Sequence, residues 1–252
     1  MRWHDLLFAH WPISATVLRP LVPDGLEIDT FDGSAWIGIV PFRMSGIRLR
    51  RCPPVPTTTA FPELNVRTYV RPTGSTSEDE GGVWFFSLDA TSRIVVRRAR
   101  AGFGLPYRDA RISIRNLKTW EPGTPQDGGA ATKTRIAAAL DYTCERTEAG
   151  FPAARFEATY GPTGPPYRAR AASIERFLSE RYRLYAVRDE VLVSCGIHHV
   201  PWPLQAAEAE IRTNTMTDGL GFRLPESAPL VHFARRLDVL AWRPEPVGSL
   251  AF

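Results

Sequence analysis

From Glu63 to Val70 the chain reads ELNVRTYV, so that Glu63, Asn65, Arg67 and Tyr69 alternate with Leu64, Val66, Thr68 and Val70. Strand side chains point alternately to two faces, so this spacing puts a carboxylate, an amide, a guanidinium and a phenol on one side of a sheet. Two readings of that polar face stand side by side. Facing solvent, it says nothing about activity, and pattern alone favours this; lining a barrel interior, it makes a site with a carboxylate beside a guanidinium.

Other chemistries are narrowed by what the chain lacks. No GxGxxG or P-loop spacing opens a helix after a strand, and GxSxG is absent, so nucleotide cradling has little support. The histidines are His4, His10, His198, His199 and His232. A zinc site would combine His198 and His199 with one of the others, but adjacent strand residues face opposite ways and no HExxH or short His pair occurs; no metal or other cofactor is expected. One of His198 and His199 is read as an interior histidine near Trp202 and the other as lying outside.

Among 31 basic residues only Lys118 and Lys133 are lysines. Imine-forming catalysis needs a lysine amine, which a guanidinium cannot replace. The net charge is +4, the arginines are interleaved with acids, and no nucleic-acid motif appears, so a nucleic-acid partner is not expected. Cys52, Cys144 and Cys195 are far apart and lack CxxC or Cys/His metal spacing, which suits a reducing compartment. No run approaches the roughly 18 apolar residues of a membrane span, and the N-terminus, with Asp5, lacks a basic-then-apolar layout. The expectation is a cytoplasmic protein without a membrane partner.

The elements that must position these residues are mostly strands. With 252 residues, 44% apolar and 23% charged, one β-rich domain spanning 1–252 is expected. Strands are predicted at Leu26–Thr30, Ser34–Arg43, Glu63–Val70, Val83–Leu88, Tyr107–Leu117, Arg135–Cys144 and Ala154–Tyr160, then at Tyr185–Val187, Val191–Ile197, Glu208–Thr213 and His232–Trp242. Three helices fit the apolar spacing: Ala15–Val22 behind Ser14, a second from Ser92 to about Ala101, and a third from Ser173 to about Arg181. Residues 52–59, CPPVPTTT, and the Gly/Pro-rich 121–130 read as loops. The segment Val200–Leu204, VPWPL, reads either as a docking strip or, preferably, as a proline-stiffened loop packed on its own barrel.

Residues 4–29, HDLLFAHWPISATVLRPLVPDGLEID, resemble the opening strand–helix–strand of acetoacetate decarboxylase. Phe61-Pro62-Glu63 resembles the segment bearing that family's active-site glutamate, and Leu105-Pro106-Tyr107-Arg108-Asp109-Ala110 the segment where proline precedes two lysines. The resemblance implies an α+β, mostly β fold, a large antiparallel sheet forming a cone or barrel with a few short helices. It places Tyr107 at the Schiff-base lysine, Arg108 at the second lysine, and His4 where the decarboxylase has a substrate-facing arginine. Tyrosine cannot form an imine. LEIDTFDGSAWIGIVPFRM, FPELNVRTYV, VWFFSLDA, IHHVPWPLQ and HFARRLD extend the likeness, over nearly the whole chain, to the uncharacterised YqjF-like branch of this superfamily.

What the resemblance implies for function is a small-molecule enzyme with Glu63 as general acid or base and Tyr107 as proton donor, suited to enol or keto chemistry without a Schiff base. Arg67 would hold an anionic group, and His4, Arg108 and His198 complete the candidate substrate contacts. A non-catalytic small-molecule binder with the same cavity is the alternative, in which Glu63 pairs with Arg67 or another arginine merely to neutralise itself. The superfamily resemblance also allows a homo-oligomer.

Overall fold

The computed structural model describes residues 1–47, 60–122 and 135–247. The expected loop at 52–59 lies outside them, as do Cys52, Lys133 and most of the Gly/Pro-rich stretch.

Strands dominate, as the alternation requires: β1 (Arg2–Ile13), β2 (Leu26–Ile28), β3 (Ala35–Ser45), β4 (Ala60–Pro72), β5 (Gly82–Ala90), β6 (Tyr107–Trp120), β7 (Ile136–Arg146), β8 (Arg155–Pro162), β9 (Arg183–Arg188), β10 (Val191–His198), β11 (Leu204–Asn214) and β12 (Leu230–Asp238), with two-residue β13 (Leu240–Ala241) and β14 (Glu245–Pro246). The helices are α1 (Ala15–Leu18), α2 (Arg93–Phe103) and α3 (Ile174–Ser179). Ser14 and Ser173 cap α1 and α3 by accepting from the backbone N–H of Thr16 and Arg176. Both of those helices are shorter than the apolar stripes predict. After Leu18 the chain tightens into one 3₁₀ turn, and α3 stops where Glu180 leaves helical dihedrals to enter β9. The long apolar run ending at Trp242 is likewise divided, β12 stopping at Asp238 and β13 starting two residues on.

Nine strands close a barrel in the order β5-β6-β7-β8-β11-β12-β1-β3-β4 and back to β5. The sheet is not wholly antiparallel, because β5 makes two parallel pairings: Val83 and Trp84 pair with β9, and Leu88 to Ala90 with β6. This branching gives β12, β1, β3, β4 and β5 two buried faces. One is the barrel interior, filled by residues such as Ile39, Leu64, Tyr142, Phe156 and Phe233. On the other, Phe8, Phe42, Tyr69, Leu88, Tyr107 and Trp202 form a second core, covered by α2, α3, β10 and the Trp202 segment.

Strand β4 is therefore buried on both sides. Leu64 and Val66 face the barrel interior, and Glu63, Asn65, Arg67 and Tyr69 face the second core. Neither reading of the polar face was right. It meets neither solvent nor the barrel lumen, but a cone-like core outside the barrel wall. A slip of one residue would exchange the two sets, sending Glu63 and Asn65 into the apolar lumen, so the register is strongly specified.

Trp202 is 2% exposed, stacks on Trp3 at 5.8 Å and meets Phe8 edge-on at 4.9 Å. The segment Val200–Leu204 thus packs on its own barrel, which removes the docking-strip reading. Among the described residues, no helix is long and apolar enough to cross a membrane.

The start of β6 is set by Gly104, which ends α2 in the left-handed region at φ 69°. A Cβ there would lie 2.6 Å from the Val187 carbonyl oxygen. Gly104→Ala combines backbone strain with that clash, and should cost about 2 kcal/mol or more in urea denaturation.

Candidate active site

Three strands bring the two principal groups together. Glu63 on β4 lies opposite Ala90 of β5, and Leu88 of β5 lies beside Tyr107 of β6. The Tyr107 phenol crosses this narrow strip, past the small Ala90 side chain, and donates to Glu63 Oε2 at 2.9 Å. The Tyr107 backbone is held in turn, its carbonyl accepting from Arg100 Nε at 2.7 Å. On the Glu63 side, Tyr142 donates from the barrel interior to the Glu63 carbonyl at 2.8 Å.

Glu63 is 1% exposed. Among the described residues no arginine, lysine or histidine forms an ion pair with it, and no hydrogen bond reaches its other oxygen, Oε1. Burial without a cation pushes its pKa up to about 8; the Tyr107 hydrogen bond opposes this and the Asp89 charge adds to it. Burial, then the neighbouring carboxyl, pushes the Tyr107 phenol well above its ordinary value. At neutral pH the pair is two neutral acids. With Tyr107 donating to Oε2, Oε1 is left as the oxygen that carries the carboxyl proton.

Asp89 reaches this site only through its charge. It belongs to the opposite face of β5, where it is fully buried and held by Arg146, with contacts of 2.7 and 2.9 Å, and by Ser87 at 2.9 Å. The negative charge behind Glu63 is thus locked in place.

A second polar group lies on the same cone-facing side. His10 of β1, Gly38 of β3 and Arg67 of β4 are in register. Gly38 is where the sheet makes room: a Cβ there would sit 2.8 Å from His10 Nε2 and 3.5 Å from Arg67 Cγ. His10 Nε2 lies 2.6 Å from the Tyr69 hydroxyl, which donates to the Leu178 carbonyl at 2.7 Å. Arg67 donates to that hydroxyl and that carbonyl, both at 3.3 Å, and lies over the Phe8 ring.

Of the six candidate residues, the structure brings Glu63 and Tyr107 into contact and sets Arg67 on the same face. Arg67 is not beside the carboxylate, since four residues of strand separate them, roughly 13 Å. The other three fall elsewhere. Arg108 points to the opposite face from Tyr107 and stacks on Phe151 at 3.8 Å. His4 bonds Ser45 at 2.7 Å; a positive φ at Asp5 breaks the alternation of β1, and it is Trp3 that packs on the cone core. His198 is exposed, whereas His199 is the interior histidine, stacked on Tyr182 and 5.3 Å from Trp202. Asp89 was missed, Tyr69 was named only as part of the polar face and His10 only as a possible zinc ligand; the one signal for His10 was Gly38 inside the apolar run WIGIV.

Residues 1–238 match the profile of DUF2071, described as an uncharacterized conserved protein. The chain belongs to the DUF2071 family. It is 44% identical over 240 residues to the uncharacterized protein YqjF of Bacillus subtilis (strain 168), a match covering 95% of this chain and 88% of that one. The enduracididine biosynthesis enzyme MppR complexed with pyruvate is similar in structure, with a TM-score of 0.60 at 14% identity, covering 98% of this chain and 90% of that one. Acetoacetate decarboxylase from Legionella pneumophila subsp. pneumophila str. Philadelphia 1 gives 0.55 at 12% identity, covering 98% and 87%. At such identities the likeness shows the fold, and this DUF2071 chain has an acetoacetate decarboxylase-like one.

The raised pKa of Glu63 has a sign in stability. The unfolded carboxyl ionises near 4.5 and the folded one near 8, so the unfolded state binds fewer protons between those values and stability falls as pH rises through that window. Glu63→Gln removes this dependence. Its stability relative to the parent should be about equal at pH 4, improve by a few kcal/mol up to about pH 8, and stay level above, as read by urea denaturation across pH.

Proposed function

We propose that this protein is a small-molecule enzyme carrying out acid–base chemistry at a carbonyl or enol, with Glu63 as the proton-transferring group and Tyr107 as the donor to the developing oxyanion. The observation that carries this reading is the 2.9 Å contact between two buried acids with no cation beside them among the described residues. A neutral carboxylic acid with its proton turned away from its partner is a general acid near neutral pH, and its conjugate base takes a proton next to a carbonyl in the reverse sense. The phenol, two strands across, has one proton, donated to Glu63 here; turned to the carbonyl oxygen of a substrate as Glu63 takes the α-proton, it stabilises the developing oxyanion without ionising.

Lys118 lies exposed on β6, eleven residues beyond Tyr107, which is roughly 35 Å of strand. That distance supports chemistry without an imine, in contrast to a lysine nucleophile. Enolisation, isomerisation, dehydration and imine-free decarboxylation all use this pair in the same way. Arg67 supplies the positive end of the site, since its contacts among the described residues are a hydroxyl, a carbonyl and two aromatic rings.

The binder reading expects Glu63 to pair with Arg67 or another arginine merely to neutralise itself. Among the described residues its side-chain partner is Tyr107, which supports the enzyme reading.

The test is exchange of α-protons for deuterium in small anionic ketones and β-keto acids, followed by NMR. The expected result is catalysed exchange or turnover that falls about 100-fold or more in Glu63→Gln and about tenfold or more in Tyr107→Phe, and no lysine adduct after borohydride treatment. Ligand-dependent thermal stabilisation without exchange would make the protein a binder, and a stable adduct on Lys118 or Lys133 would restore the imine route.

A further inference from the structure

Two strand pairings share one register. β11 meets β12 with Leu204 opposite Ala234, and β10 meets β13 with His198 opposite Leu240, so residues 199–203 run antiparallel to residues 235–239 between them. Among the described residues no backbone hydrogen bond joins these two stretches. The reason is local. Pro201 and Pro203 have no N–H to give, and the Trp202 N–H is donated instead to Glu180 Oε1 at 2.8 Å. The ladder therefore opens over this stretch and closes again at each end.

A groove of about 730 Å³ lies in the opening, lined from one side by Val200, Pro201 and Pro203 and from the other by Arg236, Leu237 and Asp238. Trp202 and Leu237 belong to the cone core and close its inner side. The groove faces outward, where Val200 is the most exposed large apolar side chain among the described residues. Pairing at both ends leaves no room for an extended chain to run through it, whereas the volume is that of a small-molecule site. A third wall is made by Pro166, Tyr167 and Arg168, anchored where the Tyr167 N–H donates to the Leu204 carbonyl at 2.6 Å.

The lining sets the chemistry of an occupant. Three proline rings and Val200 give it apolar walls. Asp238, the one acid on the groove, is already shared by Arg2 at 3.2 Å and Arg236 at 3.4 Å. Arg168 forms no hydrogen bond, ion pair or ring contact among the described residues. An unpaired guanidinium beside an apolar wall is complementary to a planar anion on an apolar body. We propose that this groove is a binding site for a small carboxylic acid with an apolar body, the carboxylate on Arg168 and the body against Pro201, Pro203 and Val200. The site goes beyond the enzymatic reading and does not rest on it. Leu237 lies in one row with Trp3, Met44 and Phe61, which puts the groove three strand spacings, roughly 14 Å, from the strand that bears Glu63.

The probes are 4-phenylbutanoate, its neutral amide 4-phenylbutanamide, the cation 4-phenylbutylamine, and acetate, which together separate charge from apolar body. Calorimetry on the parent protein should show 4-phenylbutanoate binding about tenfold or more tighter than the amide, with no binding of the amine or acetate. Arg168→Gln should bring the acid down to the affinity of the amide, and Arg168→Lys should restore part of the difference. Val200→Asp, which adds a negative charge to the wall, should weaken the acid by about tenfold or more. Carbon-13 NMR of the parent protein supplies a readout that needs no variant to fold: the Val200 methyl resonances should shift with 4-phenylbutanoate, whose ring lies against them, and stay in place with acetate.

Equal affinity for acid and amide, or Val200 methyls that 4-phenylbutanoate leaves unmoved, overturns the proposal. Undiminished binding in folded Arg168→Gln does the same. Sedimentation of the parent protein addresses the other occupant: a dimer that excludes the probe and that Val200→Asp dissociates makes the groove a contact between two copies, and the proposal falls. Binding should be unchanged in Glu63→Gln; its loss there would place the acid at the Glu63–Tyr107 pair and overturn this site. If binding at the groove holds while α-proton exchange is absent, the catalytic reading alone fails.

Discussion

The molecule is organised around a stretch of sheet that is buried on both faces. Strands β12, β1, β3, β4 and β5 close a barrel on one side and support a second core on the other. Every polar side chain buried on those strands must then be neutral, paired with an opposite charge, or matched by hydrogen-bonding groups. Asp89 and Arg146 show the paired solution, a carboxylate of no exposure against an arginine nearly as buried. Asp29 shows it again, held between Arg71 and Arg181. Glu63 shows the neutral solution, because the neighbour provided for it is a phenol. His10 is neutral for the same reason, with an arginine rather than an acid as its charged neighbour.

The fold was legible where local rules govern it. Period-two alternation located the long strands, and serine caps with apolar stripes located the starts of the short helices. The membership of each face of β4 was also legible, because a period of two admits no other grouping. What the face would meet was not. Whether Glu63 looks into a barrel, into solvent or into a second core depends on β5 pairing with β9 along one half and β6 along the other, a branching that no local pattern encodes.

The same limit explains which site residues were found. Glu63 and Tyr107 were named from resemblance, being 44 residues apart in sequence and joined only by way of β5. Arg108 was carried along as the neighbour of Tyr107, yet adjacency in a strand is what separates them in space. His4 failed for a different reason: the positive φ at Asp5 resets the alternation of β1, so counting from Phe8 and His10 back to residue 4 gives the wrong face. His198 and His199 were correctly divided between inside and outside, but no local signal says which is which, and the candidate chosen was the exposed one. His10 was hidden by being one of five scattered histidines, and only its packing against Gly38 distinguishes it.

The exchange of lysine for tyrosine implied by the resemblance at position 107 bears on more than the nucleophile. A lysine opposite a buried carboxyl would form an ion pair with it, lowering the carboxyl pKa, and the acid would be a base at neutral pH. With a phenol there, neither group gains from ionising. The carboxyl keeps its proton to about pH 8, and the phenol remains a donor far above that. A locked negative charge at Asp89, across the sheet, pushes in the same direction. An exchange of that kind would change the resting state from a charged pair to two neutral acids. Among the described residues Arg67 forms no salt bridge to an acid, and it lies four residues along β4 from Glu63, roughly 13 Å.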